Sequence, residues 1–584
     1  MKIKHFFGLA VIAAMTASCS SNDELANGGN GNGEITNEAT EGYAAFNINL
    51  PSVSGTRAEG DPVFNEGDAN EYDVNNATLL IFKAAAGETD ENKYTFVEAV
   101  NLGSMEPWTP VNNGITTEAK VVAKLEQVKT GEQLYALVIL NNKDKDGNNK
   151  VTLPTAPTAS AAGQTYKDWN ESTTNATTHD VGKAILDNKK GFYMANAPLY
   201  KDGKVTTLAK IDMTKVYLTE AKAAASVGND VYVERGVAKV KLDTTTGDEK
   251  TVADGTYKND KVTISSWGLD VTNKKTYAVH KADGTGYDNI WTNSTDASSV
   301  NSATNKRFVD NSACPVKRVY WGVDPNYSTD GLLAETPEGK NDREANFNFI
   351  KNNQLTADLN VAQYCLENTF NLNNMKQGQT TRVVFKGKYT PKSITPDADG
   401  TFYKIGKNVA LWNSTTLTAQ IKAAVTKVVT NASETNTEVI LTGTDITKAG
   451  NHVLTTANIK VNTIALTQPE VDAVNNKLGL TAESGISTFA GGETYYIARV
   501  KHFGDILTPW KADYKGYGTD NLSFLGRYGM LRNNWYELKV NSVSGPGYPD
   551  VPDVKPNTPD DDDEYISVSV KVLDWAKRSQ SVDL

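Results

Sequence analysis

Residues 565–572 read YISVSVKV. Ile566, Val568, Val570 and Val572 alternate with Ser567, Ser569 and Lys571. In an extended chain successive side chains point to opposite faces, so this run is a β-strand with one apolar side. It lies beyond Gly545–Pro559, which holds five prolines and reads as an extended linker, and beyond the acidic run Asp560–Glu564. By sequence it is cut off from any sheet that would cover it. The same period recurs near the other end, at Tyr43–Leu50 (YAAFNINL), where Phe46, Ile48 and Leu50 alternate with Asn47 and Asn49.

Between these two ends many short runs alternate in the same way, punctuated by Asn, Asp and Gly. Thr78–Phe82, Leu134–Leu140, Val237–Leu242, Lys261–Trp267, Thr381–Lys388 and Thr494–Val500 are examples. This spacing predicts antiparallel strands in β-sandwiches. Leu134–Leu140 is nearly continuous in apolar residues, which predicts a strand covered on both faces. Helical spacing stands out in one place only. Leu417, Ile421, Ala424, Val425, Val428 and Val429 fall on one helix face. Thr467 and Glu470 form a capping-box pattern, Pro469 suits a first turn and Gly479 a stop. The fold class expected is all-β with a small α-containing insertion at 411–488.

A chain of 584 residues exceeds what one core holds, so more than one domain is expected. The small-residue stretch Ala221–Gly228 precedes a new strand series at Val231, Val233, Val237 and Val240. The expected division is a β domain at 58–230, a second at 231–548 carrying the insertion, a linker at 549–564 and a terminal strand at 565–584.

The N-terminus carries an export signal. Lys2 and Lys4 precede the apolar stretch Phe6–Met15, and Thr16, Ala17 and Ser18 lead into Cys19. The apolar stretch is too short to span a bilayer. Residues 1–18 thus read as a lipoprotein signal and Cys19 as the lipidated residue, with an ordinary secretory signal as the alternative. The flexible Asn/Gly run Asn27–Gly33 fits a tether. Residues 19–57 read as a propeptide that includes the first strand. Arg57, followed by Ala58, lies in a polar, Gly-flanked loop open to a protease.

A net charge of −11 argues against general nucleic-acid binding. Two cysteines besides Cys19, Cys314 and Cys365, are read as separate thiols rather than a bridge. No His or Cys pair has metal-ligand spacing, and no nucleophile elbow or phosphate loop occurs. No metal, cofactor or enzyme activity is therefore expected. Trp267, Tyr320, Trp321 and Trp412 are read as core rather than as a glycan-stacking surface.

Two similar strands bracket the chain, one severable at Arg57 and one on a leash. That layout suggests strand exchange: Phe46, Ile48 and Leu50 fill a groove in their own subunit and leave after cleavage. Ile566, Val568, Val570 and Val572 of a neighbour then replace them. The alternative on pattern alone is that both strands are permanent.

At its C-terminal end the chain resembles the Bacteroidales fimbrillins of type V pili, nearest their minor-fimbrium branch. The residues that carry the likeness are Arg532, Asn533, Asn534, Trp535, Tyr536, Leu538 and Val540, then Gly545, Gly547 and Pro549. Val233–Arg235, Tyr320–Tyr327 (YWGVDPNY) and Glu367–Thr369 support it. The resemblance implies two transthyretin-like Greek-key sandwiches, lipid on Cys19 and a precursor in the outer membrane. It also implies cleavage between Arg57 and Ala58 by a maturation protease, and polymerisation by donor-strand exchange into a surface fimbrium. The partners implied are identical subunits, anchor and tip fimbrial proteins, and a host or bacterial adhesion ligand. The competing reading is a surface lipoprotein that binds glycan or host protein without polymerising.

Overall fold

The computed structural model describes residues 40–51, 64–65, 69–105, 109–110, 115–129, 131–172, 180–201, 204–282, 317–327, 330–370, 372–503, 508, 525–558 and 566–575. Over these residues the chain is mainly β-strand, as the alternating runs predict. The predicted strands appear as Ala77–Ala84, Gln133–Leu140, Val237–Leu242, Lys261–Asp270, Arg382–Thr390 and Glu493–Arg499. Leu134 and Ala136–Leu140 are buried, in keeping with a strand covered on both faces.

The first strand, Thr40–Pro51, lies in the middle of a ten-stranded sheet. On one side it runs antiparallel to Ile115–Val128, and on the other parallel to Asn229–Arg235, with Phe46 opposite Asn229 and Asn49 opposite Tyr232. Asn229–Arg235 then turns its far half to Met194–Asn196, which leads on to Gln133–Leu140, Ala77–Ala84 and Thr95–Gly103. One strand thus links both halves of the sheet, and the inner side chains of the two halves share one apolar core. Phe46, Ile48, Leu79, Ile81, Leu137 and Val231 all belong to it.

The second core lies between two further sheets. One has the order Phe64–Asn65, Ile566–Trp575, Asn534–Val543, Val237–Leu242, Gln363–Leu366; the other runs Lys250–Thr251, Lys261–Asp270, Arg382–Thr390, Glu493–Arg499. Trp267, Phe385, Tyr496, Tyr536 and Leu538 fill the space between them. The chain passes from the first core to the second across Gly236: Val233 and Val237 pack in the first, Ala238 and Val240 in the second.

The insertion has a core of its own. Helix Ser414–Val428 presents Leu417, Ile421, Ala424 and Val425 to helix Gln468–Leu478, which answers with Val471 and Val474. The Thr467 backbone N–H donates to Glu470 at 2.8 Å, and Gly479 closes the helix at φ 71°, a left-handed conformation that glycine adopts at no steric cost. The stem of the insertion begins earlier than residue 411. Phe402–Ile405 pairs antiparallel with Ile486–Phe489, and the Phe402 and Phe489 rings stack at 4.5 Å.

Trp267, Tyr320, Trp321 and Trp412 are buried, as a core reading requires. Cys365 is a buried free thiol, pushed up to about 12 by burial. Cys314 lies outside the described residues. Among the described residues no helix is long and apolar enough to cross a membrane, and no cluster of potential metal ligands is found.

Candidate functional site

The groove filled by the first strand follows from alternation. Ala44, Phe46, Ile48 and Leu50 face the core and none is exposed. Burying each of the three large side chains is worth about 1.5–3 kcal/mol, so the groove holds the strand with about 5–9 kcal/mol of gross apolar burial. The opposite face is also covered: helix Glu220–Ala225 packs across it, and Ala45 and Asn49 are buried there. Asn47 donates to Asp230 Oδ1 at 2.9 Å, and the Asn229 side chain donates to the Ala45 carbonyl at 3.2 Å. One end of the groove is narrow. A Cβ on Gly42 would stand 2.7 Å from Val216 Cγ1 and 3.3 Å from Val128 Cγ2.

The tail differs from the sequence reading in where it sits. Ile566–Trp575 does not stand apart from its sheet; it pairs antiparallel with Asn534–Val543 of its own subunit, from Ile566 opposite Val543 to Asp574 opposite Asn534. Its far end meets Phe64–Asn65. Ile566 is buried, whereas Val568 and Val570 are only partly covered by the second core. The backbone of Val572 lies opposite Tyr536.

The linker is not a free leash either. Tyr496 OH donates to the Gly545 carbonyl at 2.9 Å, Arg382 Nη2 to Pro552 O at 2.7 Å, and the Gln377 backbone N–H to Thr558 O at 2.9 Å. Prolines cannot donate, but the linker's carbonyls accept, and Tyr496 and Arg382 on one sheet and the Gln377 backbone in a turn hold the linker down. Cys19, Arg57 and Ala58 lie outside the described residues.

The motifs that carried the family likeness come together in one buried polar junction between the two cores. Glu234 accepts from Arg318 Nε at 3.0 Å and from Arg318 Nη2, and its other oxygen lies 2.8 Å from His280 Nδ1. Arg318 Nη2 reaches the Arg532 carbonyl at 3.2 Å. Arg532 Nη2 donates to Glu367 at 2.7 Å and to Thr276 Oγ1 and Tyr277 O at 2.8 Å each. Beside it, Arg235 donates to Asn533 Oδ1 at 3.1 Å and to the Glu71 carbonyl at 3.1 Å. Lys239 meets the Glu71 carboxylate at 2.5 Å. Asp324, from the YWGVDPNY stretch, accepts from the Asn326 and Thr369 backbone N–H groups at 2.8 and 3.2 Å.

Sequence reasoning found these motifs but assigned them no task, and it passed over His280 and Arg318. Burial works against ionisation of Glu234, but Arg318 and His280 outweigh it and hold the carboxyl at about 2. Burial works against the Arg532 charge as well, and Glu367 more than restores it. Burial, then Glu367, push the Asp324 carboxyl up to about 8.

A depressed carboxyl stabilises the fold fully above its unfolded value, and that contribution fades as pH falls toward the folded value. For Glu234 the window runs from the ordinary 4.5 down to about 2. Glu234→Gln is expected to lower the melting temperature at pH 7 and to flatten its fall over that acid window. A thermal melt series from pH 7 to 2 checks both; parallel profiles for variant and parent would contradict the junction as drawn.

Residues 487–581 match the family described as major fimbrial subunit protein type IV, fimbrillin, C-terminal. No curated protein matches the chain. Among solved structures, a candidate cell adhesion protein from Parabacteroides distasonis is 10% identical, with a TM-score of 0.37, over 92% of this chain and 99% of that one. A candidate cell adhesion protein from Bacteroides eggerthii is 12% identical, with a TM-score of 0.30, over 93% and 98%. A fimbrial assembly protein from Parabacteroides distasonis is 11% identical, with a TM-score of 0.21, over 40% and 65%. Through residues 487–581, which include the tail strand, the chain is consistent with the Bacteroidales fimbrillin family that its motifs resemble.

Proposed function

We propose that this chain is a structural subunit of a surface fimbria, made as a lipoprotein precursor on Cys19, cleaved between Arg57 and Ala58, and polymerised by donor-strand exchange. In this reading the chain divides into two sandwiches, residues 58–230 and residues 231–548, with Val231 and Val233 still packing in the first core. The observation that carries it is the contrast between the two terminal strands. Thr40–Pro51 fills a closed groove, yet it is joined to the mature chain only through the segment that holds Arg57. Ile566–Trp575 has the same alternation and rests at home with Val568 and Val570 partly exposed. Moving those valines into a vacated, fully enclosed groove increases their burial.

Cleavage is what makes the exchange possible. An uncut first strand is held at high effective concentration, and a strand from a second molecule with similar apolar area cannot compete with it. Once the covalent link is lost, the two strands compete on equal terms, and departure of the short propeptide makes the exchange one-way. The assembled subunits would serve adhesion at the cell surface, in company with anchor and tip proteins.

Replacing Arg57 with Ala is the test. The variant is expected to accumulate as a full-length, lipid-modified precursor in the outer membrane and to form no high-molecular-weight ladder on unheated gels. Normal filaments from it would remove the cleavage step. The competing reading, a non-polymerising lipoprotein, predicts the same monomeric behaviour for parent and variant.

A further inference from the structure

Val231 and Val233 of the strand Asn229–Arg235 pack in the first core, so Asp230 and Tyr232 fall on the opposite face of the sheet. There they line a cleft of about 650 Å³ together with Tyr94, Tyr135, Tyr200 and Lys210. Small-molecule sites enclose ~300–1,000 Å³, so the cleft is of ligand size. We propose that it binds a neutral oligosaccharide, which gives the subunit an adhesive site of its own. The site stands beside the first core and takes nothing from the strand-exchange reading.

The cleft is held open by bonds within the subunit. Buried Asn196 accepts from the Val138 backbone N–H at 2.8 Å and donates to Ala136 O at 3.0 Å and Thr207 O at 2.8 Å. The Glu91 carboxylate accepts from the Thr207 and Leu208 backbone N–H groups at 2.9 and 3.0 Å. Strands Leu199–Lys201 and Lys204–Thr206 pair antiparallel beside it, and Lys204 Nζ ties them to the Thr89 carbonyl at 3.0 Å. The Ala197 backbone N–H donates to Tyr232 O at 2.8 Å. A site pinned in this way is formed before a ligand arrives, which lowers the ordering cost of binding.

The lining matches a sugar in both of its characters. Tyr135, Tyr200 and Tyr232 are half-buried, and the Tyr94 ring lies 4.4 Å from that of Tyr135. A tyrosine offers a flat apolar body and a polar tip at little conformational cost, and the C–H face of a pyranose fits such a body. The hydroxyls of a pyranose need acceptors and donors. Asp230 Oδ1 accepts from Asn47 at 2.9 Å, and among the described residues no donor holds Oδ2. Lys210 is exposed, and among the described residues its ammonium has no hydrogen-bond or ion-pair partner. One free acceptor and one free donor group thus stand in a cleft walled by aromatic rings.

Other ligand classes fit less well. Glu88 and Asp230 balance Lys204 and Lys210 along the lining, so neither an anion nor a cation gains from the charge of the cleft. A peptide added as a strand needs an unpaired edge. Leu199–Lys201, Gln133–Leu140 and Asn229–Arg235 are each paired on both sides. A wholly apolar ligand would strip water from Asp230 and Lys210 and return no hydrogen bond.

The test uses the full-length precursor, in which the first strand is in place, so assembly does not enter. Its binding is measured to immobilised short oligosaccharides, neutral ones built from hexoses and N-acetylhexosamines beside sialylated and sulfated ones. Asp230→Asn and Tyr232→Ala are measured in parallel, each with a thermal melt. In Asp230→Asn the bond from Asn47 keeps the amide oxygen at the place of Oδ1, so an NH₂ group replaces Oδ2 and an acceptor becomes a donor. The expected result is binding of at least one neutral oligosaccharide by the parent, weakened about tenfold or more in each variant. Asp230 is exposed, so its variant should melt with the parent. Tyr232→Ala tests the ring independently of the carboxylate. No neutral oligosaccharide bound by the parent, binding confined to the anionic ones, or equal binding by all three proteins would each overturn the proposal.

Discussion

Deleting residues 566–584 is expected to abolish the polymer while leaving a folded, exported subunit. The tail contributes one strand to a five-stranded sheet, and Val568 and Val570 are only partly covered there. The sheet keeps Asn534–Val543 paired with Val237–Leu242, and the second core keeps Tyr536, Leu538 and Val540. Loss of the tail therefore trims the second core at its edge. The effect on assembly is of another order. Without the donor, a groove emptied by cleavage exposes unpaired backbone on both sides, to residues 115–128 and 229–232, together with pockets for Phe46, Ile48 and Leu50. The measurement is an unheated gel with electron microscopy of cells expressing the truncated chain. The expected outcome is loss of the ladder and of filaments, with monomer still at the surface. A persistent ladder would show that the tail is not the donor.

Replacing Arg532 with Ala is expected to cost about 3–5 kcal/mol of stability, the range for breaking a buried ion pair by removing one partner. Arg532 and Glu367 are both buried, and the guanidinium also holds Thr276 and the Tyr277 carbonyl. The variant leaves the Glu367 carboxylate without its cation in the centre of the junction. Lys at this position keeps a charge but loses the planar fork that serves several acceptors at once, so Arg532→Lys is expected to fall between parent and Ala. Adding Glu367→Gln to the Ala variant should return part of the loss, because the stranded charge is gone. Denaturant unfolding of the four proteins measures this. A loss below about 1 kcal/mol for Arg532→Ala would mean that the junction is dispensable.

The strands of this protein were legible because their signal is local. Val262 and Ile264 alternate with Lys261 and Thr263 within a few residues, the pattern of a half-covered strand. Helix Gln468–Leu478 was legible for the same reason, since its cap, first-turn proline and terminal glycine all lie within its own length. The junction was not legible. Glu234 finds Arg318, and Arg532 finds Glu367, across separations of 84 and 165 residues. Taken singly, each charged residue in a strand reads as a solvated face.

The tail was legible as a strand but not in its place. Alternating Ile566, Val568, Val570 and Val572 define an apolar face without naming the surface that receives it. The home sheet beside Asn534–Val543 receives that face, and in the proposed exchange the groove of a neighbour would do so instead. The linker misled for a related reason. Proline-rich sequence predicts extension, but the segment bends at Gly545, Pro549 and Asp550 and turns at Pro556–Asn557, and the carbonyls that Arg382 and the Gln377 backbone capture are invisible in a residue list.

The central claim is that the assembled subunit has lost its first strand and holds its neighbour's last one. A high-resolution electron cryomicroscopy reconstruction of the filament tests this directly, because one strand lies between residues 115–128 and 229–232 and its side chains identify it. The account predicts residues 566–575 of the adjacent subunit there, with the chain in front of Phe64 beginning at Ala58. Finding Thr40–Pro51 of the same chain still in that groove would contradict it.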